Sequence, residues 1–216
     1  YLYPFISGKD FTYIPSPYLV VNAVTESMLN RVTFRDNKLR RAIGKEVIES
    51  YLYNIVRQLD TVTWISPELL YKKGKDKLLT SDVIAAEGDN VIFYDTKAIT
   101  PSLKLRKFDV AEIEADIEIY AEDVIQIYNQ INNYLQGCFQ LDKQYLKDKI
   151  FGIVVVLEDA VVSRKKVYEK VYEILEKPET LDTEEKNYIC SHIKVLPLRA
   201  IECMILQNTS LLPELI

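Results

Sequence analysis

Residues Leu78–Ala98 read LLTSDVIAAEGDNVIFYDTKA and predict two β-strands joined by a tight turn. The apolar runs Ser81–Ala86 and Val91–Tyr94 flank a polar Glu-Gly-Asp-Asn segment. Gly-Asp between strand-like runs is typical of a two-residue hairpin, in which glycine supplies the positive φ that a type II′ turn needs. We therefore expect an antiparallel hairpin centred on Gly88 and Asp89.

The register of this hairpin follows from counting outward from its turn. Glu87 faces Asn90, and the count continues until Asp82 faces Asp95. Directly opposed residues have Cβ atoms about 4.5–5.5 Å apart, and strand alternation places Lys97 on the face of Asp95. Two carboxylates this close repel each other unless one is protonated or a cation lies between them. The hairpin end therefore predicts a divalent-metal site, and the alternative is a pair of frayed acids beside a solvated lysine.

The tripeptide Asp95-Thr96-Lys97 is one of three acid-x-lysine matches in the chain. Short motifs often arise by chance, so their structural context decides between them. The other two matches, Asp36-Asn37-Lys38 and Glu184-Glu185-Lys186, lie in segments typical of helices or links. Only Asp95 ends a predicted strand with an acid opposite it.

Two predicted helices extend the pattern. Gly44, Glu46 and Glu49 lie in a helix before the hairpin, and Gln130-Ile131-Asn132-Asn133-Tyr134 lies in a helix after it. In this order the chain resembles the RecB-like branch of the PD-(D/E)XK nucleases over about residues 38–157. That branch carries a Glu near a Gly on a helix, Asp and (D/E)-x-K on two strands, and Q-x-x-x-Y on a later helix. Here Ser81 replaces the usual proline, and an aspartate replaces the commoner glutamate.

The resemblance implies an α/β fold, in which a mixed central β-sheet is flanked by helices in a restriction-endonuclease-like αβββαβ core with a C-terminal α/β extension. It implies hydrolysis of phosphodiester bonds in nucleic acid, in DNA more than RNA, with Mg²⁺ or Mn²⁺. Asp82 and Asp95 are the expected metal ligands because hard cations prefer oxygen donors. The resemblance adds the backbone carbonyl of Thr96 as a third oxygen. Lys97 is expected to orient the attacking water or to stabilise charge on the phosphate.

The first helix offers two candidate acids. On a helical wheel whose apolar centre lies near Ile48 and Leu52, Glu49 lies at the edge of the buried face and Glu46 points further out. We take Glu49 as the first choice for a catalytic acid that also contacts the metal, and Glu46 as the reserve. The alternative is that both are solvated carboxylates.

Substrate contacts are predicted in two places. Gln130 and Tyr134 lie one turn apart, so both can face the hairpin, and in the RecB-like branch this pair lines the catalytic groove. The alternative is a core Tyr134 and a surface Gln130. Lys72, Lys73 and Lys75 precede the hairpin and offer phosphate contacts, with solvated charge as the alternative.

An acidic segment follows the hairpin. Residues 109–123 hold seven acids and no base. Such a face repels nucleic acid, so we expect it to point away from the groove or to meet a partner protein.

The remaining segments predict alternating helices and strands. Before the hairpin we expect a helix from Asp36 to about Asp60, a strand at Thr61–Ile65 and a lysine-rich connection. After the hairpin we expect a helix from about Asp109 that ends at Gly137 and a buried strand at Ile150–Leu157. The chain then continues with a helix capped by Ser163, a helix capped by Asp182 or Thr183, a strand at Ile193–Leu196 and a final short helix. Before them, a short strand at Tyr18–Asn22 and a short helix near Thr25–Leu29 are predicted. We expect an N-terminal arm at 1–35 and one nuclease-like domain at 36–216, with its core at about 38–157 and C-terminal helices and a strand at 158–216.

Composition limits the class of protein. The chain has 216 residues, of which 48% are hydrophobic, and this content is ordinary for a globular domain. Its formal net charge of −5 argues against a general polyanion-coating protein. Three cysteines without CxxC spacing are typical of reduced thiols. No apolar run has transmembrane length. We expect a cytoplasmic protein that does not bind a membrane.

Two functions remain open at this point. The first is a metal-dependent nuclease. The second is a catalytically inactive module of the same fold that binds nucleic acid or assembles with protein. The complete acid-acid-lysine set favours catalysis, because degenerate members usually lose one of the three residues.

Overall fold

The computed structural model describes residues 6–7, 9–10, 12–13, 37–98, 109–157, 162–176, 181–207 and 210. The strands are β1 (Ile6–Ser7), β2 (Thr12–Tyr13), β3 (Val62–Pro67), β4 (Leu70–Lys73), β5 (Asp76–Leu79), β6 (Val83–Glu87), β7 (Asn90–Lys97), β8 (Ile150–Val156) and β9 (Ile193–Pro197). The helices are α1 (Asn37–Ile43), a π-helical segment (Gly44–Glu49), α2 (Ser50–Val56), α3 (Val110–Leu135), a 3₁₀ turn (Lys147–Lys149), α4 (Arg164–Leu175), α5 (Thr183–His192) and α6 (Leu198–Leu206).

A five-stranded mixed sheet forms the centre, in the order β3-β6-β7-β8-β9. Strands β3, β6 and β7 are antiparallel neighbours, whereas β7, β8 and β9 run parallel. This confirms the predicted α/β class with a mixed central sheet. The order of helix, three sheet strands, helix and sheet strand is also as predicted, with one extra hairpin inserted.

Both faces of the sheet are buried, and alternate side chains enter two different cores. Phe93 and Val154 pack against α3, α4 and α5, whereas Tyr94 and Val155 pack against α2 and α6. A strand covered on both faces is expected to be continuously apolar. Every residue of β8 is buried, as the run from Ile150 predicts.

The β6–β7 hairpin has the predicted register. Val83 pairs with Tyr94 and Glu87 with Asn90, while Gly88 has a φ of +59°. Strand β7 continues to Lys97, three residues beyond the apolar run Val91–Tyr94, because β8 pairs with it in parallel along that length. The motif therefore forms the last three residues of β7, where β8 pairs with it and the ladder to β6 has already ended at Tyr94.

Helix α3 has the predicted ends and lies close to the sheet. The Asp109 side chain accepts hydrogen bonds from the backbone at the helix start, and Gly137, with a φ of +75°, follows the helix end. A Cβ atom at position 152 would clash with the Ile127 side chain, so Gly152 allows the helix to approach β8. This approach fixes the face of α3 that meets the hairpin end.

The lysine-rich segment is not a simple connection, and that prediction is wrong. It forms the two-stranded sheet β4–β5, with Gly74 at a φ of +64° in the turn. Lysines are depleted in strands, and the apolar residues of this hairpin lie only at its base. Its pairing is stabilised by tertiary packing of Tyr71, which is buried.

The first helix differs from a regular α-helix. A π-helical segment follows α1 and changes the phase of the helix, in which Leu39 is exposed while Ile48 and Leu52 are buried. π-helical insertions alter the i→i+4 repeat on which a helical wheel depends. Strand β3 begins one residue later than predicted and extends to Pro67.

Other predicted features have mixed outcomes. Ser163 precedes α4 without a side-chain capping hydrogen bond, whereas Asp182 caps α5 through the Glu185 amide at 2.7 Å. The predicted elements at 18–22 and 25–29, and Asp36 at the predicted start of the first helix, lie outside the described residues. The division into an arm and one domain stays a prediction. Among the described helices, none is both long and apolar enough to cross a membrane.

Candidate catalytic groove

An open groove of about 730 Å³ lies beside the C-terminal end of β7. The π-helical segment, the β4–β5 hairpin and α3 supply its other walls. Six of the predicted site residues line it: Glu49, Asp82, Asp95, Thr96, Lys97 and Gln130. The structure therefore brings together residues that are up to 81 positions apart in sequence (49 to 130).

Asp82 is held across the hairpin by Thr96. The backbone N–H and the hydroxyl of Thr96 both donate to Asp82 Oδ2 at 2.6 Å. Asp82 lies one residue before β6, at the place where the ladder would pair it with Asp95. The predicted role of the Thr96 carbonyl as a metal ligand stays a prediction.

Lys97 lies between two buried carboxylates. Its Nζ is 2.7 Å from Asp95 Oδ2 and 3.3 Å from Asp123 Oδ1, and it donates to Gln126 Oε1 at 2.9 Å. Strand alternation accounts for the Asp95 contact, as predicted, and α3 supplies the other two partners. The lysine is thus positioned by two elements of the fold.

Burial dominates the electrostatics of this cluster. It raises the pKa of Asp95, with Lys97 opposing and Asp82 reinforcing the shift. Burial also raises the pKa of Asp123, again against the effect of Lys97. For Lys97 itself, burial favours the neutral form, but the two carboxylates outweigh it and raise the pKa. The cluster therefore holds more carboxylates than one ammonium group neutralises.

Glu49 reaches the groove from the π-helical segment. A Cβ atom built on Gly44 would lie 3.4 Å from Ala98 Cβ, so this segment approaches the end of β7 closely. Burial, followed by the negative charge of Asp82, raises the pKa of Glu49 to about 7. Glu46 is exposed and does not line the groove, so the preference for Glu49 is supported by position.

The predicted substrate pair is divided. Gln130 is buried and lines the groove, where its Oε1 accepts a hydrogen bond from the Ser81 hydroxyl. Tyr134 is also buried, but its hydroxyl donates to the Lys143 carbonyl at 3.2 Å and accepts from the Tyr145 N–H at 2.8 Å. The prediction that Tyr134 lines the groove is wrong, and the alternative of a core tyrosine is the one observed, because its ring packs against Phe93 and Phe139.

The three predicted lysines lie on the β4–β5 hairpin. Lys73 Nζ donates to Asn133 Oδ1 at 2.7 Å, and Asn133 lines the groove. Lys72 and Lys75 are exposed and are not part of the groove lining.

Residues that were not predicted also shape the site. At the end of the acidic segment, Asp123 pairs with Lys97 and Glu122 lines the groove. The acidic segment therefore does not point away from the groove along its whole length. Glu68 adds a further carboxylate to the lining. The spacing of Asp123 and Gln126 before Gln130, seven and four residues, is the helical signal that could have found them.

The oxygen donors of the groove fit a hard divalent cation. Among the described residues, no group of three or more His, Cys, Asp or Glu side chains forms a ready metal cage. Mg²⁺, however, commonly keeps several waters and uses only one or two carboxylates. Asp82 and Asp95 supply two, and burial together with the negative charge of Asp82 raises the pKa of Asp95 and of Glu49, an effect that a bound cation would oppose.

No family model matches the chain. A curated relative from Gelasinospora sp. (strain G114), described as a "Probable DNA-directed RNA polymerase", is 27% identical over 143 residues. The match covers 65% of this chain and 16% of that protein, so the chain corresponds to a small part of it.

The Glu49 carboxyl is expected to make metal-free stability depend on pH. Its pKa is about 7 in the fold and near 4.5 without the surrounding structure. The folded state therefore binds the extra proton between these values, and the free energy of unfolding falls as pH rises from about 4.5 to 7. Glu49→Gln should remove this contribution, measured by urea unfolding in EDTA.

Glu46→Gln is the matched control, since Glu46 is three residues away in the same π-helical segment but exposed. It should keep the wild-type dependence on pH. Parallel curves for wild type and Glu49→Gln across this range would contradict the assignment.

Proposed function

We propose that this chain is a metal-dependent nuclease of the PD-(D/E)XK class that hydrolyses phosphodiester bonds in DNA. The convergence of Glu49, Asp82, Asp95 and Lys97 on one groove carries the proposal. Acids that can hold a cation and a lysine that can stabilise phosphate charge are groups suited to metal-dependent phosphodiester hydrolysis. Their arrangement does not depend on the family resemblance.

Each residue has a distinct role in the proposed reaction. Asp82 and Asp95 would hold a Mg²⁺ or Mn²⁺ ion, which would supply Lewis-acid stabilisation and lower the pKa of the attacking water. Lys97 donates to a phosphoryl oxygen as negative charge develops there. Glu49, which faces the same groove, would accept the proton of the attacking water.

The comparison supports an association of this chain with nucleic acid. The relative from Gelasinospora bears a name that refers to both DNA and RNA.

The three free cysteines agree with the proposed cytoplasmic location. A protein partner at the acidic 109–123 face stays a further proposal.

The test is incubation with linear, circular and single-stranded DNA, with Mn²⁺ or with EDTA. Wild-type protein should cleave DNA only with the metal. Glu49→Gln should reduce the rate by about 100-fold or more, as expected for loss of general acid–base catalysis. Glu46→Gln should remain within a few-fold of wild type.

The relative loss of cleavage in the two glutamine variants shows which glutamate is the catalytic acid. A larger loss in Glu46→Gln would make Glu46 the catalytic acid. Equal, small losses would leave a site built from the hairpin alone. Absence of cleavage of every DNA form, with Mn²⁺ bound, would favour the inactive nucleic-acid-binding or assembly module.

A further inference from the structure

The β4–β5 hairpin has an inner face that packs on the rest of the protein. Its ladder pairs Leu70 with Leu79, Tyr71 with Leu78, Lys72 with Lys77 and Lys73 with Asp76. Tyr71 lies on the inner face, where its ring centroid is 4.8 Å from that of Phe139 and its hydroxyl accepts from Asn133 at 2.8 Å. Lys73 donates to the same asparagine. The hairpin is therefore anchored on α3 and its C-terminal loop.

The outer face of the hairpin is basic and exposed. Lys72 and Lys77 are opposed on it, and Lys75 follows Gly74 in the turn. Residues 70–79 hold four lysines and one aspartate, in a chain whose formal net charge is −5. Beside the lysines lies the opposed pair Leu70 and Leu79, which are 66% and 47% exposed. This face offers positive charge and apolar surface together.

The hairpin also forms one wall of the catalytic groove. Leu78 and Leu79 line that groove, together with four carboxamides of α3: Gln126, Asn129, Gln130 and Asn133. The helix advances about 1.5 Å per residue, so Gln126 and Asn133 are about 10 Å apart along it. Carboxamides both donate and accept hydrogen bonds, which suits base edges and sugars. Gln126 contacts Lys97, and Asn133 contacts Lys73, so the row joins the site to the hairpin.

We infer that the β4–β5 hairpin is a binding arm for a nucleic-acid strand that runs from the metal-site end of the groove along the carboxamide row. Lys72, Lys75 and Lys77 bind its phosphates, and the exposed leucines contact its bases or sugars. The inference rests on the proposed function and adds the class of substrate. That substrate is a polynucleotide extending several nucleotides from the scissile bond, not an isolated phosphodiester.

The test measures binding separately from cleavage. A fluorescent single-stranded oligonucleotide is titrated in EDTA at several salt concentrations, and Kd is determined by fluorescence anisotropy. Lys72→Gln/Lys77→Gln should weaken binding about tenfold near physiological salt. It should also reduce the slope of log affinity against log salt by about 1.4, since each phosphate contact on a single strand contributes about 0.7.

Two matched variants support the measurement. Lys165→Gln/Lys166→Gln removes two exposed lysines of α4, which contributes no described residue to the groove, and should keep the wild-type slope. Lys72→Arg/Lys77→Arg should also retain that slope, which separates loss of charge from loss of fold. An unchanged salt slope in Lys72→Gln/Lys77→Gln would overturn the binding-arm inference. An equal loss of salt slope in the α4 control would also overturn it.

Cleavage assays with Mn²⁺ then distinguish the two proposals. Oligonucleotide hydrolysis should fall relative to hydrolysis of bis(p-nitrophenyl) phosphate in Lys72→Gln/Lys77→Gln. An equal fall with both substrates would mean that the substitutions damage the site, and would contradict the arm. If the wild type hydrolyses neither substrate while the salt slope of Lys72→Gln/Lys77→Gln changes as expected, the binding-arm inference is supported and the nuclease proposal fails.

Discussion

Asp82→Asn is expected to abolish the rise in melting temperature that Mn²⁺ produces in the wild-type protein. A ligand that binds only the folded state, at about 100 times its Kd, stabilises it by about 2.7 kcal/mol. For a chain of this size that corresponds to about 5–10 °C. The variant removes one of the two ligand carboxylates, so the shift should disappear, and cleavage should disappear with it. Differential scanning fluorimetry with and without Mn²⁺ measures the shift.

The structure explains why this variant should still fold. An asparagine Oδ1 can accept the two hydrogen bonds that Thr96 donates to Asp82 Oδ2. Removal of one negative charge also relieves the pKa-raising repulsion on Asp95 and Glu49. The metal-free melting temperature should therefore be equal to wild type or higher.

Asp89→Asn is the matched control, because Asp89 lies in the turn of the same hairpin and its side chain is 93% exposed. It should retain the full Mn²⁺ shift. If Asp82→Asn also retains the shift, the metal site is not where we place it.

Lys97→Met should separate metal binding from catalysis. Lys97 contacts phosphate charge and not the ion in the proposed reaction, so its loss should lower cleavage by about 100- to 1,000-fold. The Mn²⁺-induced melting shift should remain, because Asp82 and Asp95 are unchanged. The shift should even increase, since Asp95 and Asp123 lose their shared ammonium counter-charge and the cation replaces it.

Lys143→Met controls for the loss of a lysine from an ion pair. Lys143 pairs with Asp89 at 3.3 Å and does not line the groove, so its substitution should leave cleavage unchanged. Activity of Lys97→Met within a few-fold of wild type would remove Lys97 from the mechanism. The hairpin would then be a cation site without a catalytic lysine.

Two features of the site were predictable because they depend on local geometry. A two-residue turn and strict alternation determine the register of a hairpin, so Asp82, Asp95 and Lys97 could be placed by counting from Gly88. The ends of α3 were equally local, since Asp109 caps one end and Gly137 follows the other. These predictions required no knowledge of what packs against the segments.

Other features depended on partners distant in sequence. Tyr134 and Gln130 lie one turn apart on α3, but only the packing of that helix on β8 decided that Gln130 meets Ser81 and Tyr134 meets the core. Asp123 belongs to an acidic run that is typical of a solvated face, yet it is buried against Lys97. For residues at the edge of a broad apolar stripe, the sequence does not determine whether the side chain is buried or exposed, because that depends on the surface that packs against the helix.

The sequence by itself thus determined the hairpin, its acids and the order of helices and strands, because turn chemistry and side-chain periodicity act over a few residues. The tertiary structure decided where the β4–β5 hairpin lies, because Tyr71 packs near Phe139 and Asn133, which are distant in sequence. It also decided that the π-helical segment brings Glu49 to Asp82, where burial and like charge raise its pKa to about 7. Such shifts arise from desolvation and from charges that the chain brings together only when it folds.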